Sequence, residues 1–462
     1  MSGPGLPSVA MPSTPIRPTW ALAGLALAML LSSLGTSVAN VALPTLEETF
    51  GASFGAVQWV VLAYLLAVTT LVVGAGRLGD LVGRRRLLVA GIATFTAVSA
   101  LCAAAPALWM LVAARAVQGI GAAAMMALTL AVVAETVPRG RTGAAMGLLG
   151  STSAIGTALG PSLGGALIAG PGWRAIFLVN VPLGLLALHL AHRHLPTDRE
   201  RPAADRVRVD VAGTALLAVA LGAYALAMTA GGGGPLAAGL LVAVAAAALL
   251  ALAERRAQAP LISAAMLRDG ALRAGLATSA IVSTVMMATL VVGPFHLSRA
   301  LGLGPAPVGL VMSAGPAVVA VSGVPAGRIA DRLGARPVTL AGLAGMAAGT
   351  LLLALLPARF GVAGYLGPIV VVTLGYALFQ TANNTAVMAG APADLRGVTS
   401  GMLNLSRNIG LVTGASVMGT VFAVAGMRAT FAVATALIGA GIALAGVSPR
   451  PGRRPRREPS PA

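Results

Sequence analysis

Hydrophobic positions in this chain gather into long runs separated by short polar breaks. A helix that crosses a membrane needs roughly 20 mostly apolar residues. The runs supply fourteen such segments, at about 20–44, 55–79, 86–104, 107–134, 143–168, 174–193, 211–230, 236–253, 272–293, 304–326, 338–356, 361–386, 397–424 and 428–446. Two of the breaks share one design. Gly76 to Arg86 reads GRLGDLVGRRR, and Gly327 to Arg336 reads GRIADRLGAR. Gly76, Asp80 and Gly83 recur as Gly327, Asp331 and Gly334 at a constant spacing of 251 positions. A repeat at that distance predicts two related halves. Six spans with short loops occupy roughly 190–200 residues at these lengths, so the excess matches one added helical pair over 211–253.

The expected organisation follows. Residues 1–19, rich in Pro, Ser and Gly, form a flexible cytoplasmic tail, and 20–194 a first six-helix bundle. Residues 195–270 are a charged linker carrying the two extra helices, hinged at Gly231 to Gly234. A second six-helix bundle covers 271–447, and 448–462 is an Arg/Pro-rich cytoplasmic tail. The run from Trp20 to Leu43 is too long for a signal-peptide core and has no persuasive cleavage site before Glu47. The fold class is therefore an all-α integral membrane protein.

Arginine placement tests the count. With both ends in the cytoplasm, the inner loops hold Arg84, Arg85, Arg86, Arg139, Arg141, the arginines of 193–208, 255–273 and 328–336, and Arg396. The outer loops hold only Arg174, Arg299, Arg359 and Arg428. That is the positive-inside bias. The net charge of +18 is thus first a topology signal. The Arg-rich inner loops and tail are expected to face anionic lipid, not nucleic acid. Composition agrees: 57% of residues are hydrophobic and 10% charged, against about 25% charged in soluble domains. Every basic side chain other than histidine is arginine, read here as a coding bias. Cys102, the only cysteine, reads as a small buried hydrophobe.

At this point the residues resemble the major facilitator superfamily, specifically its fourteen-span drug:proton antiporters. The polar turn is similar to the signature between spans 2 and 3, with Leu81 where a basic residue is usual. Leu111 to Ala124, with Arg115, Gln118, Gly119 and Gly121, resembles the span 4 motif, and GSTSAIGTALGPSLGG from Gly150 to Gly165 the antiporter motif of span 5. Asn40 to Pro44 and Asn180 to Gly184 resemble signatures at spans 1 and 6. The resemblance implies two six-helix bundles plus two added helices, and export of drug-like compounds by alternating access in a bacterial plasma membrane, coupled to protons.

Each motif also has a reading of its own. A cytoplasmic gate is expected from Gly76, Asp80, Gly83, Arg84 and Arg85, and from Gly327, Asp331, Arg332 and Gly334. Glycines let helix ends approach, and Asp80 is suited to cap a neighbouring helix or pair with an Arg. The plain alternative is a topology loop with solvated charges. In span 5, Gly156, Gly160 and Gly164 form a bare stripe that permits close packing in lipid, and Pro161 bends the helix. A spacing of 254 pairs Gly156 with Gly410, Gly160 with Gly414 and Pro161 with Ala415, so the kink is expected in the first half alone.

Charges inside a membrane are costly and mark function. Arg115 and Arg407 lie within spans 4 and 13 and are expected to face the central cavity or a polar partner; a structural Arg bonded to carbonyls is the alternative for each. Gln118, Asn404, Asn408, Gln380, Asn383, Asn384, Tyr64 and Asn40 complete the cavity set, and Gln58 and Trp59 are further candidates for substrate contact. No Asp or Glu falls in the middle of any span. The acidic residue usual in span 1 of the resembled family is here Gly35. The histidines sit at span ends, His296 at an outer one and His189, His192 and His194 at an inner one.

Nothing points to an enzyme. There is no credible nucleophile–base pair, metal cluster or nucleotide loop, so no cofactor is expected and energy must come from gradients. Two cavity arginines without a mid-span carboxylate favour neutral or anionic substrates, whereas the resemblance implies cationic drugs. The rivals are a facilitator or exchanger of an anionic metabolite, and a receptor or scaffold that kept the fold without transport.

Overall fold

In the computed structural model the described residues are 18–136, 142–198, 211–230, 234–256, 269–356, 360–390 and 396–447. Both expected tails, apart from Pro18 and Thr19, lie outside this set, as do Arg139, Arg141, most of the charged linker, the Gly231–Gly233 turn and Asp394. The described residues are helical throughout, with no strand among them.

The first half comprises α1 (Pro18–Phe50), α2 (Phe54–Val82), α3 (Arg84–Ala104), α4 (Leu108–Thr136) and α5 (Thr142–Ala169). It closes with a short α6 (Ala175–Leu178) and α7 (Asn180–His194). The added pair is α8 (Val211–Thr229) and α9 (Gly234–Arg256). The second half holds α10 (Gly270–Phe295), α11 (Pro305–Leu333), α12 (Ala335–Leu355), α13 (Gly361–Gly390), α14 (Arg396–Thr413) and α15 (Gly419–Val447). Local chemistry sets several boundaries. Ser53 caps α2 by accepting the Ala56 N–H, and the Asp269 carboxylate caps α10 by accepting from Ala271 and Leu272. Gly83 (φ 109°) and Gly334 (φ 87°) each join two helices through one residue. Only glycine takes that backbone conformation without strain.

Among the described residues, twelve helices are long and apolar enough to cross a membrane. The fourteen expected from the sequence are not reproduced, for two physical reasons. Helix α5 is absent from the twelve, being diluted by Gly, Ser and Thr. Thr399–Gly446 counts once as 48 continuous residues, although its backbone breaks at Gly426 (φ 74°, ψ −175°). The second half is irregular at the matching position as well. Helix α5 runs unbroken through Pro161, while the aligned stretch of the second half, Gly414–Met418, is π-helical. The second half lacks the proline yet keeps an irregular turn.

The halves meet at the end opposite the Gly83 and Gly334 turns, here termed the far end. Phe54 of the first half packs against Phe295 and Phe422 of the second, with ring centroids 4.6 and 5.6 Å apart. Arg299 pairs with Glu47, and Gln58 donates to the Ala415 carbonyl. At the turn end the neighbours differ. The nearest neighbours of a methyl group added at Gly79 or Gly327 belong to the same half, those at Gly83 to Asp198 after α7, and at Gly76 or Gly323 it would meet open space. Helix α8 lies along α2 and touches α14. It is bonded to both halves, through Trp59 to Thr229 and through Thr420 to the Met228 carbonyl. Helix α9 is largely exposed, as a lipid-facing helix would be.

Candidate functional site

The first polar turn is tied down from two directions. Asp80 pairs with Arg84 one helical turn on, at 2.7 Å. The helix-capping role considered for Asp80 belongs instead to Asp198, which follows α7. Its carboxylate accepts the backbone N–H of Arg85 at 2.8 Å and of Arg86 at 3.0 Å. It lies where a side chain at Gly83 would have to go. Arg85 also donates to the His192 carbonyl. The second turn has the same backbone and an equivalent arginine tie, Arg336 donating to the Gly446 carbonyl, but no counterpart of the Asp198 cap among the described residues: Asp331, Arg332 and Gly334 are exposed, and Asp331 has no polar partner among the described residues. Asp198 was not singled out from sequence because its partners are about 110 positions away.

Arg115 does not face a cavity. It is fully buried inside the first half. Its Nε donates to the Val60 carbonyl at 2.9 Å, Nη2 to the Gly35 carbonyl at 2.9 Å, and Nη1 to Gln118 Oε1 at 2.6 Å. The guanidinium lies 4.1 Å from the Tyr64 ring centroid. Gln118 in turn donates to Ser99 at 2.7 Å, and Tyr64 to the Ser32 carbonyl at 2.9 Å. A charge buried this completely costs several kcal/mol unless hydrogen-bonded, and here every polar arm of the side chain is used. Gly35 also admits Phe95 and Tyr64, whose atoms lie within 3.3 Å of where a methyl group would stand. A carboxylate at this position would need that space. Asn40 is likewise buried, donating to Thr36, and Asn383 donates to the Gly275 carbonyl. Gln58 and Trp59 are engaged in the helix contacts already described. These residues pack helices together and do not line an open space.

The glycine stripe of α5 packs on α1. Gly156 abuts the Leu30 carbonyl and Ser33, Gly160 abuts Ser37, and Gly164 abuts Val38. The second half repeats the contact. Gly410 abuts Ala280 and Ser283, and Gly414 abuts Thr284 and Met287. Leu30, Ser33 and Ser37 map onto Ala280, Ser283 and Met287 at a constant spacing of 250. The opposite side of α5 meets the other half: the Pro161 carbonyl and Gly165 press against Gly309 of α11. Helix α5 is thus held between a partner in its own bundle and one across the seam.

The polar residues left open belong to the second half. On α14, Leu403, Ser406 and Gly410 face α10 and α13, while Leu405 and Ile409 pack with α2 and α8. At 100° per residue, Asn404, Arg407 and Asn408 share the remaining face. Asn404 is exposed, and Arg407 and Asn408 are half-buried. The Asn404 amide bonds back to Ser400, whereas Arg407 and Asn408 have no hydrogen bond or ion pair among the described residues. On α13, Gln380 and Asn384 are half-buried one turn apart. The equivalent of Arg407 in the first half is Ser153, which is bonded to Ser33 at 2.7 Å. The halves therefore differ at this level by one unpartnered cation.

Outside the seam, His189, His192 and Arg193 line a groove of about 550 Å³ on the exposed face of α7. No cluster of His, Cys, Asp or Glu able to hold a metal occurs among the described residues.

The sequence matches the Major Facilitator Superfamily profile over residues 25–415 and 275–462. It is 34% identical to the multidrug resistance protein Stp of Mycobacterium tuberculosis, over 87% of this chain and 74% of Stp. It is 34% identical to the multidrug efflux pump LfrA of Mycolicibacterium smegmatis, over 88% of this chain and 82% of LfrA. With the riboflavin transporter RibZ of Clostridioides difficile it shares 30% identity, over 85% and 86%. Among solved structures it superposes on an inward-facing, unoccupied bacterial homologue of the human lysosomal transporter Spinster. The TM-score is 0.71 at 15% identity, covering 95% of this chain and 98% of that one.

Proposed function

The chain belongs to the major facilitator superfamily, and from that premise we propose that it is a secondary active exporter of small hydrophobic or amphipathic compounds. It is a transporter and not an enzyme, as its family and relatives indicate. The observation that carries the export reading is the shape of the seam. The halves are joined at the far end by the Phe54–Phe295–Phe422 cluster and the Gln58–Ala415 bond, whereas toward the turn end Gly76 and Gly323 border open space and the polar face of α14 is partly exposed. Arginine enrichment assigns the turn end to the cytoplasm, so the structure corresponds to an inward-open state ready to load cargo from inside the cell. Both termini are then cytoplasmic in a bacterial plasma membrane. The chain crosses fourteen times when α5 is counted and Thr399–Gly446 is divided at Gly426.

Alternating access would rock the halves about the seam near the bilayer midplane. Helix α5 supplies one bearing through Gly165 and Gly309, and α2 supplies the other through Gln58, Ala415 and Gly419. The gate assignment for Asp80, Asp331 and their neighbouring arginines rests on their place at the open end. Stp and LfrA favour drug-like cargo. Proton coupling rests on the family resemblance, since no mid-span carboxylate is present to carry it. The second reading, an exchanger of an anionic compound, is favoured by one observation, the unpartnered Arg407. Uptake into inverted membrane vesicles under imposed proton gradients, with cationic, neutral and anionic compounds, separates the two. Accumulation driven by an inward-acid gradient supports proton-coupled export. Accumulation only against preloaded anion supports exchange, and no accumulation of any compound leaves neither.

A further inference from the structure

We infer that Arg407, flanked by Asn404 and Asn408, is the anion-recognising subsite of the central cavity, taking a carboxylate, phenolate or comparable acceptor-rich group of the cargo. The inference rests on the transporter reading and assigns a substrate class to its site.

Three observations converge. The first is subtraction: of the two arginines within the spans, Arg115 is consumed by two carbonyls, Gln118 and the Tyr64 ring. Each of its three nitrogens already donates, and the side chain is fully buried, out of a ligand's reach. Arg407 keeps all of its donors, as it makes no hydrogen bond or ion pair among the described residues. The second is position. Arg407 lies eight residues before Ala415, roughly 12 Å along the helix axis from the closed far end, and is half-buried. It shares its helix face with two side-chain amides, which donate as well as accept. The third is the surrounding charge. All 13 Asp and Glu fall near helix ends or in turns, linkers and tail. Among the described residues no carboxylate pairs with Arg407. Glu47 is held across the seam by Arg299 at the far end.

A cation in a low-dielectric cleft is costly to occlude unpaired. Cargo that brings its own negative charge or strong acceptors offsets that cost, and cationic cargo raises it. Arginine suits the task because its planar fork meets a carboxylate with two parallel hydrogen bonds. The pseudo-symmetric position carries Ser153, already bonded to Ser33, so the preference is built into one half.

The test is equilibrium binding to the full chain in nanodiscs, with no gradient, using three dyes on one xanthene core: fluorescein, its uncharged dimethyl ether and rhodamine 123. Fluorescein is expected to bind at least ten-fold more tightly than rhodamine 123. Arg407→Gln should lose that preference, weakening fluorescein about ten-fold while leaving rhodamine 123 unchanged or tighter, and Arg407→Lys should retain part of it. Should Arg407→Gln not fold, Asn404→Asp places a carboxylate one turn from Arg407 at an exposed position and should invert the order. Tighter binding of rhodamine 123 by the unaltered chain overturns the assignment, as does equal loss of all three dyes in Arg407→Gln. Because binding is read without transport, the two readings fail separately. Extrusion by a chain that shows no Arg407-dependent preference for fluorescein would sink the subsite and leave export standing. Fluorescein binding that depends on Arg407 without any extrusion would do the reverse.

Discussion

Gln58 and Ala415 are joined by a hydrogen bond from side-chain amide to backbone carbonyl, at 2.9 Å, across the seam between the halves. The same site recurs on the other side of the pseudo-symmetric molecule with different chemistry. A spacing of 251 takes Gln58 to Gly309 and Phe54 to Pro305, and a spacing of 254 takes Pro161 to Ala415 and Gly165 to Gly419. At one crossing, then, Gly309 lets the backbones of α5 and α11 touch. At the other, Gln58 fills the gap over Gly419 and reaches the Ala415 carbonyl.

Gln58→Leu tests that link. The Gln58 amide oxygen is buried without a partner, so an apolar side chain of similar size removes one unsatisfied acceptor while it removes the bond. Overall stability should change by less than about 1 kcal/mol. The far-end contact should weaken, shifting the population toward opening there by roughly two- to ten-fold. Thiol labelling of a cysteine placed near Phe54 measures this, and native Cys102 adds little background because it is fully buried. Unchanged labelling would show that the Phe54–Phe295–Phe422 cluster alone holds the end shut.

The two glycine contacts of α5 should respond differently to one methyl group. At Gly164 the added carbon would sit 3.0 Å from a Val38 methyl and 3.3 Å from its carbonyl, whereas at Gly165 it would overlap the Pro305 carbonyl and sit 2.8 Å from the Gly309 backbone. Gly164→Ala should therefore be tolerated. Gly165→Ala should cost about 1–3 kcal/mol in the far-end-closed state and reduce extrusion well beyond any loss of folded protein. Equal effects on both measures would make this contact a matter of packing only.

Arg115→Lys should destabilise the first half by about 3 kcal/mol or more, because a lysine cannot reproduce the fork that spans the Val60 and Gly35 carbonyls and Gln118. A fall in melting temperature with unchanged ligand affinity in the surviving protein is the expected result. Lower ligand affinity at an unchanged melting temperature would return Arg115 to the cavity.

Much of the plan was legible because it is repeated. Gly76, Asp80 and Gly83 could be matched to Gly327, Asp331 and Gly334 by spacing alone, and the Gly156–Gly160 contact on α1 reappears at Gly410–Gly414 on α10. Orientation was not legible. Whether Arg115 faces a cavity or the core depends on where the Gly35 and Val60 carbonyls point, and no pattern along the chain carries that. Asp198 was hidden, and Gln58 was read as a substrate contact, for a related reason, since their partners are backbone atoms of distant segments and any residue type can supply those. The number of crossings was obscured by α5, whose glycines serve contact at the expense of hydropathy.

The added helix α8 supplies the last test. Trp59 of the first half donates to Thr229 of α8 at 3.2 Å, and Thr420 of the second half donates to the Met228 carbonyl. Tyr224 adds a bond to Thr413 at 3.3 Å. One turn of α8 near the far end is thus bonded to both halves, so relative motion there must break one tie or carry the helix along. Trp59→Phe and Thr420→Val remove one tie each, and each should cost about 0.5–1.5 kcal/mol in thermal or denaturant unfolding. If α8 couples the halves, the double substitution should depart from additivity by more than about 0.5 kcal/mol, because the second cut releases a helix already loosened by the first. Strict additivity, together with unchanged extrusion in both single variants, would mean that α8 and α9 ride on the seam without restraining it.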